Sequence, residues 1–153
     1  IVSARLAGHG YSVVVCDRSA GMLRVAAGRV PGRVAACDAT VLPLAGACVD
    51  AVTIVWLLHL LPDAAPVLSE CARVLRPGGV LLTTVDKSAA HRAAEGLADP
   101  EAAASASDAR ARVERLTAEL GLVPHGETTF LGYGQGWPGT PPVYTVVGFV
   151  KPA

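Results

Sequence analysis

Three runs of apolar and β-branched residues, Tyr11–Cys16 (YSVVVC), Asp50–Trp56 (DAVTIVW) and Val80–Val85 (VLLTTV), restrict the fold more than any other feature. A strand with one wet face alternates apolar and polar residues, whereas a strand buried on both faces of a parallel sheet reads as a continuous apolar run. Segments of helical spacing lie between these runs. Ser19 is placed to cap a helix with Met22, Leu23, Val25 and Ala26 on one side, ending near Gly28. Asp63 can cap another, in which Val67, Leu68, Cys71, Val74 and Leu75 recur; Pro66 sits in its tolerant first turn and Arg76-Pro77-Gly78-Gly79 stops it. A short strand is predicted at Arg33–Cys37, and Ile1–Leu6 reads as the tail of a helix closed by Gly8 or Gly10. This alternation predicts an α/β fold, a doubly wound sheet with right-handed crossovers. The dense β-branching of Asp50–Trp56 predicts a central position in it.

The rhythm changes towards the C-terminus. Val113, Leu116 and Leu120 mark a helix that Gly121 can end, and Glu127–Leu131 and Val143–Val150 follow with no helix between them, which predicts a closing antiparallel hairpin. Residues 87–107, rich in Ala and Ser, read as a flexible or weakly helical lid or as a linker. A chain of 153 residues accommodates one domain, 1–153, and there is no internal repeat.

Composition narrows the function. Lys plus Arg and Asp plus Glu both total 13, so no basic field attracts nucleic acid or anionic lipid, and a small, weakly charged partner is expected. Mean hydropathy is +0.44, yet the longest apolar run, Ala51–Leu61, contains His59 and is far shorter than the roughly 20 residues of a membrane span. No basic stretch followed by an apolar one opens the chain, so a cytoplasmic protein is expected. Cys16, Cys37, Cys48 and Cys71 have no CxxC pair or neighbouring His, which predicts reduced, mostly buried thiols and no metal site.

Ligands of open α/β sheets bind beyond the carboxyl ends of the strands, so the residues just after each strand matter most. Asp17, after Cys16, can accept hydrogen bonds from both hydroxyls of a ribose, or simply cap the next helix. Asp38, after Cys37, can accept from an adenine amino group while the Ala39 N–H serves the ring; alternatively it opens an Asx-turn. With Met22 to cover an adenine face, the pair describes a nucleoside pocket without net positive charge. Asp17 would serve a nicotinamide dinucleotide equally well, but the second acid, the antiparallel ending and the lack of a Tyr-x-x-x-Lys pair weigh against a reductase. His59 is either a weak candidate for a catalytic base or substrate partner, or an orienting residue tied to a backbone group. Trp137, Tyr133 and Tyr144 either cap a substrate pocket or pin a loop. His9, His91 and His125 show no partner pattern and are expected to be exposed.

Four segments carry a family resemblance. VVVCDRSAGML (13–23), CDATVLPL (37–44), VDAVTIVWLLHLLPD (49–63) and especially SECARVLRPGGVLL (69–82) resemble the class I S-adenosylmethionine-dependent methyltransferases of the type 11, small-molecule branch. The resemblance implies a Rossmann-like sheet and S-adenosylmethionine as cofactor. It implies that Asp17 binds the ribose, that Met22 packs near the adenine and that Asp38 and Ala39 recognise it. It places Val55 on the floor near the sulfonium and makes Pro77-Gly78-Gly79 a structural turn. It further implies a first strand and glycine loop (G-x-G-x-G) ahead of Ile1–Leu6 that are missing from this chain, the strand lying between those at 11–16 and 50–56. With Ile rather than Met at position 1, the chain reads as part of a longer protein, poorly stable or inactive alone. The function expected is methyl transfer to O, N or C of a small-molecule acceptor. The alternatives are an NAD-dependent reductase and a non-catalytic, truncated methyltransferase fold serving as an interaction module. The sequence assigns no oligomeric state.

Overall fold

The structure is a computed structural model that describes residues 2–132 and 141–153. The chain forms two compact units, Ile1–Ala45 and Gly46–Ala153. In the first, helix α1 (Val2–Gly8) leads through Gly10, at φ +88, to strand β1 (Val15–Asp17). Helix α2 (Ala20–Ala27) follows, its first turn closed by Ser19 Oγ accepting from the Met22 N–H at 3.3 Å, as its sequence predicts. Strand β2 (Val34–Ala36) then pairs with β1 in parallel, Val15 opposite Val34 and Asp17 opposite Ala36.

The second unit is built on a four-stranded sheet in the order β3-β4-β6-β5. Strand β3 (Val49–Ile54) runs parallel to β4 (Leu75–Val85), with a 3-10 turn at Leu58–Leu60 and helix α3 (Ala65–Val74) between them. Helices α4 (Lys87–Ala94), α5 (Pro100–Ser105) and α6 (Arg110–Glu119) precede β5 (Val123–Leu131) and β6 (Val143–Val150). β6 is antiparallel to both β4 and β5, so the closing hairpin is present and the α/β, Rossmann-like class holds. The core gathers Leu58, Leu68, Val74, Leu75, Leu81, Val85, Val113, Leu122 and Phe149, all almost fully buried. Each such side chain is worth about 1.5–3 kcal/mol relative to exposure.

Three expectations change. Tyr11–Val14 lies outside β1, and Tyr11 and Val14 are 64% and 53% exposed, because β1 has a hydrogen-bonded neighbour on one side only. β3 is likewise an edge strand rather than a central one, with Asp50, Ala51 and Thr53 exposed. The strands form a two-stranded sheet, β1-β2, and a four-stranded one, and β1 and β3 each have a single hydrogen-bonded partner. Residues 87–107 are mostly helical; Asp99 caps α5 by accepting from the Glu101 and Ala102 N–H groups, each at 3.1 Å.

The Arg76–Gly79 segment is held by the protein's own backbone and by Lys151. Across the β3–β4 ladder the register jumps from Val49–Leu75 to Ala51–Val80, so these four residues leave the ladder and return. Lys151 fastens the excursion. Its backbone exchanges hydrogen bonds with Gly78 (2.7 Å) and Gly79 (2.9 Å), and its ammonium donates to the Ala72 and Leu75 carbonyls at the end of α3 (2.7 and 2.8 Å). A Cβ on Gly79 would lie 2.9 Å from Arg76 O, 3.0 Å from Leu75 Cδ2 and 3.1 Å from Asp50 O. Two of these neighbours are backbone and cannot yield cheaply. Gly79→Ala is accordingly expected to cost about 1–3 kcal/mol, read as a lower urea midpoint with unchanged slope.

Candidate functional site

In the first unit both acids emerge at the carboxyl ends of adjacent parallel strands. Asp17 is the last residue of β1 rather than the one after it, and its carbonyl accepts from the Cys37 N–H at 3.1 Å, which holds the approach to Asp38 alongside. Asp17 Oδ1 accepts from the Ser19 N–H at 2.8 Å, so the helix-entry role is realised. Asp38 Oδ1 accepts from both the Thr40 N–H (2.9 Å) and its hydroxyl (2.8 Å), so the Asx-turn is realised as well. Each carboxylate keeps its Oδ2 without a hydrogen-bond partner among the described residues. Asp17 is half-buried and Asp38 exposed. The Thr40 backbone N–H, with its hydroxyl and the charge of Arg18 adding to it, holds the Asp38 carboxyl below the usual 3.8. Ala39 is half-buried between Asp38 and Thr40, and Met22, in the first turn of α2, is 58% exposed.

The four cysteines are free, but only Cys71 is fully buried; Cys16 and Cys37 are half-buried and Cys48 is exposed. Burial and then the neighbouring Cys37 thiol push Cys16 up to about 11, and burial pushes Cys71 up to about 12, so both stay protonated and poorly nucleophilic at neutral pH.

The second unit has its own polar cluster at carboxyl ends. Val55, half-buried, directly follows β3. Trp56 comes next in the left-handed region at φ +62, its N–H donated to Thr84 Oγ1 at 3.1 Å. The 3-10 turn then presents His59, and Lys87 starts α4 just beyond β4. Lys87 Nζ lies 3.1 Å from His59 Nε2 and 5.0 Å from the Trp56 ring centroid, a cation–π distance. His59 thus meets a side chain, that of Lys87. Burial, then the Lys87 charge, keep the His59 imidazole below its usual range, with Asp108 opposing. His91 is not a free exposed ring: it is half-buried and hydrogen-bonded to the Tyr144 hydroxyl. Tyr144 is buried, and its ring centroid lies 4.5 Å from Trp56 and 5.5 Å from Phe130. Tyr133 and Trp137 lie outside the described residues. Lys87 escaped the sequence reading, although the rule that singled out Asp17 and Asp38 also points to the residues following Val85.

Comparison with known proteins decides the family. A family model described as a methyltransferase domain matches residues 1–83, all of the first unit and, in the second, β3, α3 and most of β4. The chain belongs to this methyltransferase-domain family. The matching model is the type 11 methyltransferase domain. The domain is 45% identical over 82 residues to a demethylmenaquinone methyltransferase of Mycolicibacterium vanbaalenii, covering 54% of this chain and 36% of the relative. It is 47% identical over 81 residues to the enzyme of that name from Beutenbergia cavernae, covering 52% and 34%. The chain thus spans about a third of the length of these curated relatives. In fold, it resembles a SAM-dependent methyltransferase from Methanosarcina mazei, with a TM-score of 0.71, 18% identity, and 98% of this chain and 86% of that one covered. Among the described residues of the methyltransferase domain, no helix is long and apolar enough to cross a membrane.

The residues of the first unit fit the nucleoside half of S-adenosylmethionine. Two carboxylates, each with an uncommitted acceptor oxygen, suit ribose hydroxyls and an adenine amine, and neither demands a charged ligand. Because Thr40 holds Asp38 Oδ1, Oδ2 is the oxygen left to a ligand. Thr40→Val removes the hydroxyl donor and keeps the N–H. The folded-state pKa of Asp38 lies below its unfolded value, so this stabilisation is present above about pH 4 and fades as pH falls through the folded pKa. In Thr40→Val the Asp38 carboxyl resonance should titrate at higher pH than in the parent, moving back towards 3.8.

Proposed function

We propose that the protein transfers the methyl group of S-adenosylmethionine to a small-molecule acceptor. The observation that carries this reading is the family match across residues 1–83, which includes the two acids at adjacent strand ends. In this reading Asp17 Oδ2 accepts from a ribose hydroxyl and Asp38 Oδ2 from the adenine amine. The Ala39 N–H donates to the ring and the exposed Met22 side chain covers an adenine face. The bound cofactor supplies an activated methyl group on a positively charged sulfur that departs as a neutral thioether. The protein's task is then mainly to hold the acceptor in line with that methyl, since positioning accounts for much of the acceleration of such a step.

The name carried by the two relatives supports an aromatic, quinone-derived acceptor. The balanced charge of 13 basic and 13 acidic residues is in keeping with a small molecule rather than a nucleic acid. Asp17 alone would suit a nicotinamide dinucleotide; the family match and the second acid at Asp38 favour the methyl donor.

Calorimetric titration tests the cofactor. S-adenosylmethionine and S-adenosylhomocysteine are expected to bind saturably, and Asp17→Ala and Asp38→Ala each to weaken binding about tenfold, the scale of one hydrogen bond to a charged group. Binding of NAD in their place by the folded protein would overturn the assignment.

A further inference from the structure

The second unit contains an open cleft of about 320 Å³ lined by His59, Lys87, Ser88, His91, Arg92 and Glu95. It lies beyond the carboxyl ends of β3 and β4, where open α/β sheets take their ligands, and neither acid of the nucleoside pocket is part of it. Its charged members are not equivalent. Arg92 pairs with Asp99 at 3.6 Å, whereas Lys87 forms no ion pair with a carboxylate among the described residues. Its side-chain partners are the His59 imidazole and the Trp56 π face. This half-buried ammonium has no carboxylate within ion-pair distance among the described residues, although Glu95 lines the same cleft.

The pair is also rigidly held. The Lys87 N–H donates to Asp108 Oδ2 (2.9 Å), the Asp86 N–H donates to the Asp108 carbonyl (3.0 Å), and the Arg110 N–H donates to Asp86 Oδ1 (2.9 Å). Asp86 adopts the left-handed region at φ +53 to complete this clasp. On the other side, the Ser107 hydroxyl donates to the carbonyl of buried Leu58, the residue before His59. Asp108 is 1% exposed, and its Oδ1 has no partner within the described residues. The clasp thus fixes a buried negative charge behind the pair, close enough to act on His59. The groups that act on the His59 ring are Lys87 and His91, both on α4, and Asp108, just before α6. Beside the pair, Trp56 and Phe130 keep partly exposed rings 5.7 Å apart, an apolar platform next to a hydrogen-bond acceptor and a cation.

We propose that His59 and Lys87 form the subsite that receives and ionises an acidic hydroxyl, phenolic or enolic, on the methyl acceptor, with the acceptor's ring against Trp56. This rests on the methyl-transfer reading and specifies its substrate class. In the resting protein the lone pair of His59 Nε2 accepts from Lys87. A hydroxyl entering between them donates to His59 Nε2 while its oxygen accepts from Lys87. The O–H bond breaks and an N–H bond forms on His59. The electron pair stays on the acceptor oxygen as an oxyanion beside the ammonium, which makes the conjugated acceptor the stronger nucleophile. Burial and the Lys87 charge disfavour the imidazolium in the resting protein, and the oxyanion formed beside the ring, with Asp108 behind it, offsets that penalty.

The test uses 4-nitrophenol, whose phenolate absorbs visible light and whose phenol does not, mixed with the protein about one pH unit below the probe's own pKa. Bound probe is expected to show the phenolate spectrum. Lys87→Met should weaken binding tenfold or more. His59→Gln should retain binding but leave the probe as the neutral phenol. 4-Nitroanisole, which has no hydroxyl, should bind equally to all three proteins. S-adenosylhomocysteine binding, measured in parallel, should be the same in each and so shows that the variants are folded. If the cofactor product binds while 4-nitrophenol binds as the neutral phenol, or not at all, the subsite proposal is overturned. If the folded protein does not bind the cofactor product, the methyl-transfer reading fails first.

Discussion

The parallel pairing of β3 with β4 is the constraint on which the second unit depends. Two strands that run the same way end at the same edge, so the residues after Ile54 and after Val85 must meet there. The pairing resumes after a four-residue excursion at Arg76–Gly79, which Lys151, at the far end of the chain, ties to the last turn of α3. A cation at a helix C-terminus is favoured by the helix dipole, and here the same ammonium fixes strand register. Buried Leu75, Leu81 and Val85 then lock β4 against the helices.

The first unit applies the same logic on a smaller scale. β1 and β2 contribute three residues each, enough to place Asp17 and Asp38 at one edge. Both acids also serve locally, Asp17 at the entry to α2 and Asp38 in its own turn, and each does so with one oxygen. A carboxylate has two acceptor atoms, so a structural role and a ligand role need not exclude each other. At these positions the local role that the sequence offers is realised with one oxygen and leaves the other available.

Legibility followed the range of the interactions. Caps, helix ends and the closing hairpin depend on neighbours in sequence and were readable at Ser19, Gly121 and Val143–Val150. The edge position of β3 was not, because a β-branched run reports a preference for extended backbone and not how many strands flank it. Tyr11–Val14 failed for the same reason. The cluster around His59 was legible only in part. His59 stood out by type, but its partner Lys87 is 28 residues away and His91 meets Tyr144 across 53, separations that no local pattern encodes. The clasp of Asp86 with Asp108 and Arg110 lies in the Ala- and Ser-rich stretch and its border, where composition conceals two well-placed acids.

Trp56 is a large aromatic residue in a backbone region that suits glycine or asparagine, stationed where β3 turns towards the cleft. A smaller residue would relax the main chain there, yet it would remove the ring that faces Lys87 and packs on Tyr144 and Phe130. Strain of this kind persists where surrounding contacts over-determine it. Substitutions that make this corner of the protein easier to fold are thus the ones that would empty its aromatic wall, so thermal selection and selection for ligand binding pull this one position in opposite directions.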